Sequence, residues 1–166
     1  MSGTKIVVLS LLAAIWGAMA AVAGTLDDAP FQVILPGDGW KLDDSTAQEM
    51  EKNVSIVASV TGTNTQSKSV VIKTDMRDVR KPSFDEFSAG IRDQLANPVI
   101  KKLSEEDISF LGFKAKRFTF EVTGASYNES IVFVAGTIGW TIMNTGPLDK
   151  KLEIKKLTAF YQQKEK

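Results

Sequence analysis

Ile131-Val132-Phe133-Val134-Ala135-Gly136-Thr137-Ile138-Gly139-Trp140-Thr141-Ile142-Met143 is the stretch that decides the fold class. Residues 131–135 are apolar at every position, so both faces of this strand are covered and it belongs in the middle of a sheet. Gly136-Thr137-Ile138-Gly139 is a hairpin turn, and residues 140–143 return beside the first strand. A tight return means antiparallel pairing, because parallel neighbours need a crossover of a dozen residues or more.

Toward the N-terminus the same logic repeats. Phe113 to Val122 is strand-like, but its apolar set changes phase between Ala115 and Phe118, which predicts a bulge near Lys116-Arg117. Gly112 marks a tight turn after a strand holding Ile108 and Phe110, and Ile100 to Leu103 reads as a short strand of its own. Ahead of these lies a helix. Pro82 precedes Ser83, and Glu86 sits three residues on, a capping box in which each side chain satisfies a free amide of the first turn. Phe84, Phe87, Ile91 and Leu95 fall on one stripe, and Asn97-Pro98 ends the helix because a residue before proline avoids helical angles.

Residues 53–61 and 70–76 form a hairpin with the polar tip 62–67, and Val54, Ile56, Ala58 and Val60 are expected on one face. Residues 43–52 are polar, and Asp44 or Ser45 predicts the N-cap of a short helix. Residues 31–35 are the first strand, closed by the breaker turn Pro36-Gly37-Asp38-Gly39, after which Trp40 and Leu42 resume an apolar alternation.

Toward the C-terminus, Gly146-Pro147 starts a last helix. Ile154, Leu157, Phe160 and Tyr161 share its inner face, with Lys155, Lys156, Gln162 and Gln163 outside. Leu152 points away from that stripe, so this helix is expected to touch something on a second side. Hairpins dominate and no βαβ alternation repeats, which is the pattern of an α+β domain, an antiparallel sheet flanked by helices, spanning 31–166.

Residues 1–23 read as a secretory signal peptide. Lys5 is the only charge before Asp27, residues 6–16 are an almost uninterrupted apolar run, and Ala18-Met19-Ala20 and Ala21-Val22-Ala23 fit an A-x-A cleavage site. The rival is an uncleaved signal anchor, since residues 6–24 as a helix would reach about 28 Å, close to a bilayer core. Both readings place the rest of the chain outside the cytoplasm, periplasmic or secreted. Residues 24–30 read as a short linker ending at Pro30.

The whole chain has 166 residues, 20 basic and 20 acidic, with no His and no Cys. Those two absences exclude a disulfide framework, a thiolate nucleophile, Cys- or His-ligated metal, and a Ser-His-Asp triad. Near-zero net charge argues against a nucleic-acid binder, which would need a basic face. Charge is uneven, with a sum of −6 over residues 24–51 and +5 over residues 52–166, which reads as pairing across the fold or as a bipolar partner surface. No phosphate loop, dinucleotide fingerprint or nucleophile elbow occurs. The acidic runs Asp27-Asp28, Asp43-Asp44 and Glu105-Glu106-Asp107 match no calcium loop and read as solvated. Trp40 and Trp140 each follow a Gly beside a turn and read as core or sheet-end residues, with ligand stacking the alternative. Asn53-Val54-Ser55 and Asn128-Glu129-Ser130 match the glycosylation sequon. No residue is assigned a catalytic, cofactor or metal role, and no cofactor is expected.

Leu35-Pro36-x-x-Gly39-Trp40, the capped helix 83–97, Leu111-Gly112-Phe113, Ala115-x-x-Phe118, residues 132–136 ahead of Trp140-Thr141-Ile142, and Leu157-Thr158-Ala159-Phe160 occur in an order that resembles the PsbP-like superfamily, the Mog/PsbP/DcrB group, and within it the bacterial DcrB-like envelope proteins. The resemblance covers about residues 31–163. It implies an α-β-α sandwich and non-enzymatic roles as accessory or assembly factors of membrane complexes or as small binding domains. Some DcrB-like members are lipoproteins; this chain has no Cys to lipidate. No catalytic residue carries over.

The reading that follows is an exported, non-enzymatic accessory or protein-binding domain of the bacterial envelope, with an envelope protein as partner, no nucleic acid, and membrane contact only through a retained leader. The alternative is a small-molecule or metal-ion binding domain using the acidic loops or a Trp-lined cleft.

Overall fold

Ser83 starts the long helix as its sequence predicts. Its hydroxyl accepts from the Glu86 amide at 3.1 Å, and helix α1 runs Phe84–Leu95, ending two residues before Asn97-Pro98. The computed structural model describes residues 22–23 and 26–165. The leader reading of residues 1–23 lies outside the described residues apart from Val22 and Ala23. Val22–Ala23 form a short strand, β1, opposite Ala47 and Thr46.

The remaining strands are β2 Phe31–Val33, β3 Trp40–Asp43, β4 Thr46–Glu51, β5 Val54–Gly62, β6 Lys68–Asp75, β7 Ile100–Phe110, β8 Phe113–Val122, β9 Ser126–Ala135, β10 Ile138–Gly146 and β11 Tyr161–Gln163. Among the described residues, nine of the eleven strands form one antiparallel sheet in the order β1-β4-β5-β6-β10-β9-β8-β7, with β3 also on β5; β2 and β11 pair separately. The decisive stretch is where its composition placed it: β9 lies inside the sheet between β10 and β8. Ile131 and Phe133 join one buried cluster, and Val132 joins another on the opposite face with Val134 packed against it.

The two faces carry different covers. On one, α1 lays Phe87 and Leu95 over Phe118, Phe120 and Val132. On the other lie β2, β11 and a C-terminal segment made of a 3-10 turn (Leu148–Lys150), helix α2 (Lys151–Lys156) and a second 3-10 turn (Leu157–Phe160). Here Phe31 is the aromatic hub, meeting Trp140 at 5.4 Å, Tyr161 at 5.6 Å and Phe133 at 6.2 Å between ring centroids, all edge-on. The result is the expected antiparallel sheet between helical layers.

Four local expectations are corrected. Residues 46–51 are strand β4, not a helix: Asp43 accepts from the Ser45 amide and hydroxyl, turning the chain so that β4 pairs with β5. Val54, Ile56, Ala58 and Val60 do not share a face, because β5 bulges between Ile56 and Ala58; Val54 joins the cluster with Val70 and Ile72, whereas Ala58 and Val60 face the aromatic side. Residues 100–110 are one strand, whose irregularity lies between Lys101 and Ser104. Strand β8 keeps unbroken register with β9, so no bulge occurs at Lys116-Arg117. Its phase change has another cause: Ala115 packs on the aromatic face and Phe118 and Phe120 beneath α1, while Arg117 turns its charge toward Glu129.

The segment expected as a linker is packed. Leu26 and Ala29 are buried in the aromatic cluster, and Lys164 donates to the carbonyl of Leu26.

Candidate partner-binding surface

The C-terminal segment is anchored before it presents anything. Ile154, Leu157, Phe160 and Tyr161, the stripe expected from the sequence, are all buried. The close approach requires glycine at position 146, where a Cβ would stand 2.9 Å from the Ser67 hydroxyl and 3.0 Å from Ile154 Cδ1.

Beneath the segment runs a polar row that no local motif announces. Register places Ser104 opposite Thr119, Thr119 opposite Glu129, Glu129 opposite Asn144, and Asn144 opposite Ser69. The last three members meet the C-terminal segment. The Ser69 hydroxyl donates to Asn144 Oδ1 at 2.6 Å, and the Tyr161 hydroxyl lies 2.6 Å from Ser69 Oγ. Ser69 has one proton and gives it to Asn144, so Tyr161 is the donor in the second bond. Asn144 Nδ2 donates to Thr158 Oγ1 at 2.9 Å and to Glu129 Oε1 at 3.3 Å, and Thr158 donates to Glu129 Oε1 at 2.7 Å. Every proton in the chain has an acceptor, and it ends on a carboxylate that Arg117 Nε approaches at 3.5 Å. Asn144 is fully buried and Glu129 is 3% exposed. Burial pushes the Tyr161 phenol well up from its ordinary range, which keeps it a donor.

The anchored segment turns a different face outward. Leu152 is 78% exposed, and Leu148 beside it is exposed too. They sit in a hollow of about 430 Å³ together with Asp149, Lys150, Glu153 and Lys156. Lys151 turns back to the sheet, pairing with Glu121 at 2.6 Å and lying over the Tyr127 ring.

The residues singled out in the sequence are placed elsewhere. Glu105, Glu106 and Asp107 point across β7 and β8 into ion pairs. Arg92 meets Glu105 at 2.5 Å, Lys116 meets Glu105 and Asp107 at 3.3 and 3.1 Å, and Arg117 meets Glu106 at 3.3 Å. The Arg92 hydrogen bonds hold the Glu105 carboxyl below its usual range. Asp28 pairs with Lys73, which ties the acidic first segment to the basic remainder. Among the described residues, no group of three or more acidic side chains is placed to hold a metal ion. Trp140 is wholly buried in the aromatic core, and Trp40 lies edge-on against Phe160 at 5.0 Å, so each indole already has partners within its own chain. Asn128 of the second sequon is fully buried and is not accessible to glycosylation in the fold.

No family profile matches this chain, and no curated protein matches it in sequence. Its structure is similar to the solution structure of cyanobacterial PsbP (CyanoP) from Synechocystis sp. PCC 6803, with a TM-score of 0.58 and 9% identity over 90% of this chain and 99% of that one. The chain has a PsbP-like fold. The likeness covers nearly the whole of both molecules, so it includes the sheet and its helical covers. Among the described residues, no helix is long and apolar enough to cross a membrane.

Proposed function

We propose that this chain is an exported, non-catalytic accessory domain of the bacterial envelope, related to the DcrB-like branch of the PsbP-like superfamily, that binds an envelope protein through the outer face of residues 148–156. The observation that carries this reading is Leu152. A leucine 78% exposed on a helix whose other face is locked to the sheet is an apolar contact held in a fixed position. Preorganised contacts of this kind lose little entropy on binding. Lys150, Lys155 and Lys156 are exposed around it and outnumber Asp149 and Glu153, so the matching surface carries an apolar hollow rimmed by acidic side chains. The leader order in residues 1–23 and the PsbP-like fold support the export and the accessory role.

Crosslinking followed by affinity capture from the native envelope tests it, with wild type and Leu152→Asp compared at matched expression and matched melting temperature. The expected result is one reproducible partner recovered with wild type and lost with the variant. Equal recovery from both proteins, or no reproducible partner together with turnover of a defined substrate, would overturn the proposal.

A further inference from the structure

A second cavity, of about 490 Å³, lies at one end of the sheet. Three segments wall it: Thr61 with residues 65–68, the turn from Val122 to Ser126, and residues 145–147 at the exit of β10. The volume falls within the usual range for small-ligand sites. The walls are built into the fold. Thr61 and Thr145 stand on the strands that flank β6, at the same level. The loop between β5 and β6 is closed twice: the Gly62 amide donates to the Ser67 carbonyl at 3.4 Å, and the Ser67 amide donates to Thr65 Oγ1 at 3.2 Å.

Ser67 is the deciding member. It lines the cavity, is 1% exposed, and its hydroxyl has no hydrogen-bond partner. The hydroxyl packs closely against Gly146, where an added Cβ would stand 2.9 Å from Ser67 Oγ. A buried hydroxyl left unsatisfied is costly, and such groups call for a ligand or a bridging molecule to complete them. Two neighbouring hydroxyls already act as acceptors. Thr65 Oγ1 takes the Ser67 amide, and Ser126 Oγ takes Asn128 Nδ2 at 3.0 Å, so each has its own proton left to give. Val122, Ala125 and Pro147 supply an apolar wall. Lys68 lines the cavity as well, but it already interacts within the chain, so its charge does not select the ligand.

We propose that this cavity binds an uncharged small molecule with an apolar body and a carbonyl group, the carbonyl oxygen accepting from the Ser67 hydroxyl and the body lying against Val122, Ala125 and Pro147. Hydroxyls with protons to give match a group that only accepts, and a carbonyl oxygen is such a group. A neutral carbonyl also costs far less to take out of water than an ion, and with Lys68 engaged the described lining holds no spare charge to offset that cost.

Amide-resolved NMR titration of the full chain with benzylacetone, phenylbutyrate, phenylbutylamine and toluene tests the assignment. Shifts confined to residues 61–68, 122–126 and 145–147 are expected, with the ketone binding more tightly than the acid or the amine. Ser67→Ala is expected to weaken the ketone about threefold to tenfold and to leave toluene unchanged, the size expected for loss of one neutral hydrogen bond. The same variant should keep or raise the melting temperature, because it removes a buried hydroxyl that has no partner in the free protein. Ala125→Trp, at an exposed turn, is expected to fill the mouth and abolish binding of all the probes. A charged probe binding as tightly as the ketone, a Ser67→Ala effect equal on ketone and toluene or absent from both, or a clear fall in its melting temperature would overturn the proposal. So would shifts spread over the sheet, binding that survives Ala125→Trp, or no binding of any probe in the millimolar range.

Discussion

Two polar regions of this molecule contrast sharply. At the edge formed by β7 and β8, Glu105, Glu106 and Asp107 face Arg92, Lys116 and Arg117 in a ladder of largely exposed ion pairs. Beneath the C-terminal segment, Tyr161, Ser69, Asn144, Thr158 and Glu129 form a chain of mostly buried hydrogen bonds. The ladder has more formal charge, yet water and salt screen it, and exposed pairs of this kind contribute little. The buried chain has one carboxylate, but each of its groups has given up water, so losing one member strands the others. The conspicuous charge is therefore structurally slight, and the inconspicuous polar residues fix the position of the surface proposed for partner binding.

The largest effect is expected at Asn144. Asn144→Ala leaves the Ser69 proton without its acceptor and removes a donor from both Thr158 and Glu129, and should cost about 2–4 kcal/mol in urea unfolding. A loss no larger than that of an exposed ladder variant would break the contrast. Gly146→Ala comes next. Its new Cβ must displace the Ser67 hydroxyl and Ile154, at about 1–3 kcal/mol, and proteolysis should cut the C-terminal segment first. Tyr161→Phe removes a donor but leaves Ser69 bonded to Asn144, so its cost should be only about 1 kcal/mol by the same unfolding measurement.

The ladder should give the smallest effect, visible mainly in acid. Arg92 and Lys116 lower the Glu105 carboxyl, Lys114 lowers Asp85, and Lys151 and Lys102 lower Glu121. A carboxylate with a lowered folded pKa stabilises above its unfolded pKa, and that contribution is lost as pH falls through the folded value. The melting temperature should therefore hold through mild acid and fall below the ordinary carboxylate range. Glu105→Gln should shift it little at neutral pH and should reduce the acid-dependent fall, and high salt should flatten the difference. A neutral-pH loss matching that of Asn144→Ala would show that the ladder, not the buried chain, holds this half of the sheet.

The same contrast explains what the sequence revealed. Hairpins and α1 were legible because their signals are local: a capping serine, a run apolar on both faces, glycines at the turns. Leu152 was legible as a residue off its helical stripe. The buried chain was not, because it depends on register between strands distant in sequence. One trace did exist: the inward-facing residues switch from apolar to polar along β9, from Phe133 and Ile131 to Glu129, and along β10, from Trp140 and Ile142 to Asn144. Only the pairing of those strands shows that the switches fall at the same level. The helix expected at 43–52 failed for the reverse reason. A polar segment with capping residues has helical propensity, but the open edge of β5 supplies backbone partners that a short isolated helix cannot match. The bulge expected at Lys116-Arg117 failed because a phase change on one strand also arises when its two faces have different covers.

The partner-binding claim is tested most directly by a photo-crosslinking residue placed either at Leu152 or at Asp107 and activated in the native envelope. The account predicts a reproducible crosslinked partner from position 152, none from position 107, and loss of the product when Lys155→Glu and Lys156→Glu are added. The same products from both positions, or none from position 152 in a correctly folded protein, would contradict it.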